Sequence, residues 1–148
     1  MELNQDFKEF IQLLNEKQVE YLVVGGYAVA FHGYPRYTGD IDIWIAISKE
    51  NAEKVMQVLK DFGFGSLAIS EEDFLKQDLV IQLGYEPIRI DILTSLTALS
   101  FAECYDCAVL ANLDDLLVKF INLENLKKNK LATGRQKDLG DVENLPEK

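Results

Sequence analysis

The sequence predicts an α/β (α+β) chain in which a mixed β-sheet is flanked by helices, and three stretches carry that prediction. Residues 20–24 form an apolar, β-rich run that stops at Gly25-Gly26 and gives way to a short helical pattern over 27–32. Residues 40–45 read Asp-Ile-Asp-Ile-Trp-Ile, and residues 88–93 read Ile-Arg-Ile-Asp-Ile-Leu. Both alternate with the period of two that a strand imposes on a half-buried surface.

In chain order, Asn4 is placed to cap a first helix whose Phe7, Phe10, Ile11 and Leu14 fall on one side. The strand over 20–24, the glycine turn, the short helix and the strand over 40–45 follow. Ser48 then caps a helix with Ala52, Val55, Met56, Leu59 and Phe62 as its apolar stripe, and Gly63 ends it. Residues 77–83 and 88–93 are strand-like, joined by a hairpin over Gly84-Tyr85-Glu86-Pro87. Residues 107–121 fit two short strands turning near 112–115, which is the reading adopted, and also fit a helix over 113–120. Asn122 caps a helix to Ala132, Gly134 breaks it, and a last helix runs to about Leu145 before Pro146. There is no repeat, linker or low-complexity tract, and 148 residues with 48% hydrophobic content suit one domain over 1–148.

The chemistry concentrates on the second and third of the opening stretches. Alternation sets Ile41, Ile43 and Ile45 on one face and Asp40 with Asp42 on the other. Like charges one pleat apart repel, and carboxylates on a buried strand are costly to desolvate, so the pair makes sense with a cation between them. A hard divalent ion such as Mg²⁺ fits, since it takes oxygen ligands and is held by one or two carboxylates plus substrate phosphates. Over 88–93, Ile88, Ile90 and Ile92 share one face, and Arg89, Asp91 and Leu93 the other. If the two strands are neighbours, Asp91 joins Asp40 and Asp42, and a two-metal site for in-line displacement at phosphorus follows. Thirteen residues separate Gly26 from Asp40. The glycines would supply the anion end, through close backbone approach and the first turn of a helix; on their own they read first as a tight strand–helix turn, and the downstream Asp-x-Asp is what raises the phosphate reading.

A hydrophobic strand, Gly-Gly, a spacer, Asp-x-Asp and a later single Asp on a strand together resemble the nucleotidyltransferase superfamily with the DNA polymerase β type of palm. More narrowly, GGYAVAFHGYPRYTGDIDIWI with NKLATGRQKDLGDVENL near the C-terminus is similar to the small bacterial nucleotidyltransferases related to the AbiEii toxins of abortive-infection and toxin–antitoxin systems. The likeness covers nearly the whole chain, with a palm-like core at about 18–95 and a C-terminal helical segment at about 122–146. One departure is Gly25-Gly26 where the superfamily often has Gly-Ser, which removes a hydroxyl that could touch a phosphate.

The resemblance implies a nucleotidyltransferase fold and an enzyme that moves a nucleoside monophosphate from a nucleoside triphosphate to a hydroxyl, releasing pyrophosphate. It further implies two Mg²⁺ ions, replaceable by Mn²⁺, on Asp40, Asp42 and Asp91. The acceptor is left open among a tRNA or other RNA end, a protein hydroxyl and a small alcohol. A cognate toxin or antitoxin protein is the further partner, and no membrane is expected. The alternative is a non-catalytic binding module that masks a partner protein. Gly25 and Gly26 would seat phosphates through their backbone amides. Arg36 and Thr38 lie in the loop before the acids, where the guanidinium would neutralise a triphosphate; Pro35 and Gly39 equally show a loop that simply needs to turn. Lys130, Lys137 and Asp138 are candidates for the triphosphate or its leaving group; an internal ladder of Arg135, Asp138 and Asp141 on one helix accounts for the acids without substrate.

Composition narrows the rest. A net charge of −10 excludes a protein that binds nucleic acid over its whole surface, yet residues 119–137 hold six basic side chains against the single acid Glu124. That stripe either meets phosphates or is a solvated helix face. His32, the only histidine, reads as a packed or capping residue. Cys104 and Cys107 lack a second pair for zinc and read as reduced, packed thiols of a cytoplasmic protein. The start of the chain has no signal-peptide pattern.

Overall fold

The computed structural model describes residues 3–65, 67–85 and 88–147. Helix α1 (Gln5–Glu16) starts where Asn4 accepts the Asp6 N–H at 2.8 Å, and it buries Phe7, Phe10, Ile11 and Leu14, as the spacing predicts. Strand β1 (Tyr21–Val24) runs directly into α2 (Gly25–Phe31), so the two glycines are the first residues of the helix and not a separate turn before it. Strand β2 (Asp40–Ile45) leads to α3 (Lys49–Leu59), whose Ser48 cap accepts the Asn51 N–H at 3.0 Å. Gly63, at φ +100°, breaks the wide helical turn Lys60–Phe64 that follows, because only glycine takes that conformation cheaply.

A short 3-10 turn (Glu71–Leu75) precedes β3 (Val80–Tyr85) and β4 (Ile88–Leu93). Strand β3 begins three residues later than its pattern suggests: Asp78 adopts φ +58°, and its turn spends residues 77–79 before pairing starts. Strands β3 and β4 pair antiparallel as expected, while Glu86 and Pro87 of the connecting turn lie outside the described residues. Helix α4 (Phe101–Asp106) has no counterpart in the sequence reading. Strands β5 (Val109–Leu113) and β6 (Leu116–Phe120) form the hairpin expected near 112–115, with Asp114 and Asp115 at φ +52° and +66° supplying the left-handed turn. Helix α5 (Leu123–Thr133) is capped by Asn122 and closed by left-handed Gly134, and α6 (Gln136–Asn144) ends the fold.

The six strands make one mixed sheet in the order β3-β4-β2-β1-β6-β5, with β5 and β6 joining it beyond the palm-like core expected at about 18–95. Strands β2 and β4, and β1 and β6, are parallel; the other neighbours are antiparallel. Val23 pairs with Ile43, so Tyr21, Val23, Ile41, Ile43 and Ile45 share one face. On that side the Tyr21 hydroxyl donates to Asn15 of α1 at 2.9 Å. On the opposite face Trp44 meets Phe101 of α4 edge-on, with ring centroids 5.1 Å apart. Among the described residues no helix is long and apolar enough to cross a membrane.

One buried polar side chain ties the layers together. Asn51 of α3 is 3% exposed; its amide donates to the Glu20 and Ala46 carbonyls at 3.1 and 2.9 Å, and its oxygen accepts the Glu20 N–H at 2.8 Å. It thereby joins the helix to the entry of β1 and the exit of β2. Asn51→Ala removes the side-chain partners of the Glu20 N–H and the Ala46 carbonyl, while the Glu20 carbonyl keeps the Ala46 N–H at 3.2 Å, and is expected to lower the unfolding free energy by about 2 kcal/mol, read from urea melts.

Candidate active site

The site follows from strand register. Parallel pairing of β2 with β4 sets Asp42 beside Asp91 and Asp40 beside Arg89, all on the face away from the isoleucines. The carboxylates of Asp40, Asp42 and Asp91 offer oxygen atoms within 4.8 Å of one another, a hard donor set suited to a divalent ion. The Arg89 guanidinium lies across them. Its Nε and Nη2 donate to the two Asp91 oxygens at 3.0 and 3.1 Å, and Nη2 reaches Asp40 Oδ2 at 3.2 Å.

The glycines have a packing reason that composition does not show. Gly25 sits at φ +66°, and a methyl group there would overlap the Asp42 carboxylate; one at Gly26 would come within 2.8 Å of Thr38 Oγ1. Glycine thus lets the start of α2 lie against the acids of β2. Thr38 in turn donates to the Asp40 carbonyl at 3.0 Å, with the Asp40 carboxylate at 3.3 Å.

Crowding three acids shifts their protonation. Burial first, then the charges of Asp40 and Asp91, push the Asp42 carboxyl up to about 8. Burial also raises Asp91, although Arg89 opposes it. Asp40 moves the other way: burial works against its charge, but hydrogen bonds from Asp42, Asp91 and Arg89 hold it below the usual carboxylate range. At neutral pH the group therefore retains a proton centred on Asp42, which a divalent cation would displace.

Opposite the acids stands a cationic wall from α5 and α6. Lys130, 6% exposed, donates to Asp138 at 2.9 Å and pairs with Asp141 at 3.1 Å. Arg135 pairs with Asp138 at 2.8 Å, while Arg36, from the loop before β2, forms a two-pronged pair with Asp141 at 2.8 and 2.9 Å. Burial would raise Asp138, but bonds from Lys130, Thr133 and Arg135 bring it down to about 2; Asp141 is likewise lowered, by Arg36 and Lys130 against its burial. The ladder expected within one helix is thus only partly local: Arg135, the N-cap residue of α6, pairs with Asp138 in its first turn, whereas Asp141 takes its cations from the loop and from α5.

Gly25, Gly26, Arg36, Thr38, Asp40, Asp42, Asp91, Lys130, Lys137 and Asp138 all line one cavity of about 460 Å³. Arg89 and Asn129 line it too and were not singled out from the sequence. The signal for Arg89 was present, since it shares the alternating face of Asp91; nothing local marked Asn129. His32 lies elsewhere, capping α2 with Nε2 2.7 Å from the Ile121 carbonyl. Cys104 is a buried free thiol and Cys107 an exposed one, so only the first is packed. The basic stripe is interrupted: Lys130 is buried in its ion pairs, and Lys119 donates to the Tyr105 hydroxyl at 2.8 Å between the Tyr21 and Tyr105 rings.

Two measurements check this geometry. A carboxyl whose pKa is raised on folding contributes stability that is complete below its unfolded value, about 3.9, and is lost as pH rises through about 8. Metal-free Asp42→Asn should therefore match the parent near pH 4 and exceed its unfolding free energy by more than about 2 kcal/mol at pH 9. Gly25→Ala should cost about 2 kcal/mol through its positive φ and the overlap with Asp42, and Asp42→Gly in the same chain should restore part of that loss, a coupling read from a double-mutant cycle.

No protein-family model matches the chain, and no curated protein matches its sequence. Its likenesses are to solved structures. TM1012 from Thermotoga maritima, assigned as a nucleotidyltransferase, superposes with a TM-score of 0.61 at 16% identity, over 93% of this chain and 88% of that one. An antigenic nucleotidyltransferase-like protein from Paracoccidioides brasiliensis gives 0.59 at 21% identity, over 97% and 77%. The lincomycin-bound lincosamide antibiotic adenylyltransferase LnuA gives 0.57 at 16% identity, over 97% and 96%. With its six-stranded mixed sheet and flanking helices, the chain has the nucleotidyltransferase fold.

Proposed function

We propose that this protein is a divalent-metal-dependent nucleotidyltransferase that transfers a nucleoside monophosphate from a nucleoside triphosphate to a hydroxyl and releases pyrophosphate. The observation that carries the reading is the β2–β4 register, which gathers Asp40, Asp42 and Asp91 at one wall of a cavity whose other wall holds Lys130, Arg135 and Lys137. Anionic ligands at one end and cations at the other match a metal-bound triphosphate lying between them. Within the fold, the AbiEii-related bacterial group is the subgroup we favour, on the C-terminal Gly-Arg-x-Lys-Asp-Leu-x-Asp pattern, of which Arg135, Lys137 and Asp138 line the same cavity as the carboxylates.

Mg²⁺ or Mn²⁺ held by Asp40, Asp42 and Asp91 would neutralise charge at the α-phosphate and acidify the acceptor hydroxyl. The protein's own groups do the rest. Gly25 and Gly26 present backbone at the cavity wall for the phosphates, with Thr38 behind them. Asp91 would receive the hydroxyl proton as the acceptor oxygen bonds to the α-phosphorus. The bond from that phosphorus to the bridging oxygen breaks, and Lys130 and Lys137 face the departing pyrophosphate, with Asp138 holding Lys130 in place. Arg36 is engaged by Asp141 and acts on a phosphate only by sharing its guanidinium. The full-length likeness to LnuA puts a small-molecule hydroxyl beside RNA ends and protein hydroxyls among the acceptors to test.

Incubation with each α-³²P nucleoside triphosphate, Mg²⁺ or Mn²⁺, and RNA, lysate protein or small alcohols should transfer label to one acceptor class. Asp40→Asn, Asp42→Asn and Asp91→Asn should each lower that transfer by about a thousandfold or more while remaining folded. Undiminished transfer in all three variants would sink the assignment of the site, and no transfer by the parent with any acceptor would favour a binding module.

A further inference from the structure

We infer that Arg89 is a displaceable counter-cation: it holds the carboxylates of the site together in the absence of a divalent ion and gives up its place when the ion enters. The inference rests on the metal-dependent reading above and goes beyond it. The Arg89 guanidinium takes both Asp91 oxygens and Asp40 Oδ2, at 3.0 to 3.2 Å. Those are oxygen atoms of the same three-carboxylate cluster that would ligate an ion. A guanidinium and a divalent cation compete for them, because the fork already occupies a lone pair on each Asp91 oxygen and the two positive charges repel at that range. Without a cation, three carboxylates in contact would push β2 and β4 apart, and Arg89, the register neighbour of Asp40, is built to offset that repulsion.

The structure also provides a way out. The register partner of Arg89 across the sheet is Gly84 of β3, which sets no side chain of its own beside the guanidinium. The Arg89 side chain is itself 27% exposed, at the mouth of the cavity and not sealed beneath it. Arg89 is in this view a positioning residue whose removal strengthens metal binding, opposite to the effect of removing a residue that merely supports the ligands.

The test is calorimetric titration of the nucleotide-free protein with Mn²⁺, comparing the parent with Arg89→Met and Arg89→Lys. Arg89→Met should bind Mn²⁺ about tenfold or more tightly than the parent, since a full positive charge has left the site. Arg89→Lys, whose single ammonium cannot bridge the carboxylates as the planar fork does, should fall between. The chain has three arginines, so the three side-chain Nε–H resonances can be followed individually. Saturating Mg²⁺ should shift the Arg89 resonance and leave Arg36 and Arg135, whose Nε groups are held by Asp141 and Asp138, near their original positions. Equal or weaker Mn²⁺ binding by both variants, or an Arg89 resonance unmoved at saturation, overturns the exchange while leaving the metal site standing. Should Arg89→Met fail to fold, Arg89→Lys and the resonance decide. Absence of Mn²⁺ binding in the parent and both variants overturns the metal-dependent reading and the exchange together.

Discussion

The parallel pairing of β2 with β4 puts Asp42 and Asp91 in register across the sheet, and Asp40 follows one pleat away on the same face. Much of the rest of the structure answers the electrostatic problem this creates. Buried like charges cannot all stay ionised without compensation. The fold compensates with the Arg89 guanidinium, with a proton centred on Asp42, and with the field of Lys130 from the opposite wall. Each is weaker than a divalent ion at that position would be, so the arrangement makes sense as one awaiting a stronger cation.

The same residue type is treated in opposite ways at the two walls of the cavity. Asp42, among acids, is pushed up to about 8, while Asp138, among Lys130, Arg135 and Thr133, is brought down to about 2. The difference comes from neighbours, since burial raises both. Asp138 and Asp141 hold Lys130 and Arg36 facing inward, and Lys130 is 6% exposed, so its orientation is set before any ligand arrives. Removing one partner of such a buried pair costs more than the pair contributes, because the remaining charge stays buried and unpaired. Helix α6 is therefore coupled to the site through charge, although apart from its first turn it contributes little surface to the cavity.

Glycine is the second constraint. Val24, the last residue of β1, pairs with Asp42, so the first turn of α2 starts directly over the carboxylates. A side chain at Gly25 would collide with Asp42 and one at Gly26 with Thr38, which is why the chain can turn from strand to helix at that point only with two residues lacking Cβ. The helix starts earlier than a separate glycine turn would allow, and the site is more compact for it.

Much of this was legible in the sequence, for a physical reason: alternation and capping act within a few residues. Period two placed Asp40, Asp42 and Asp91 on their faces; Asn4, Ser48 and Asn122 marked helix starts; and the hairpin at Asp114-Asp115 followed from two short β-rich runs. The late start of β3, the helix α4 and the merging of the glycines into α2 were not legible, because they depend on turn geometry and on contacts with distant strands. What the sequence by itself determined is which residues carry charge, which face of its own strand each acid occupies, and that a strand, two glycines and an Asp-x-Asp pair lie close along the chain. Only the tertiary structure decided that β4 docks parallel to β2 with Asp91 beside Asp42, that Arg89 spans the acids, and that Arg36 is held by Asp141, 105 residues away. Such pairings are set by sheet order and helix packing, to which a local pattern of residues is blind.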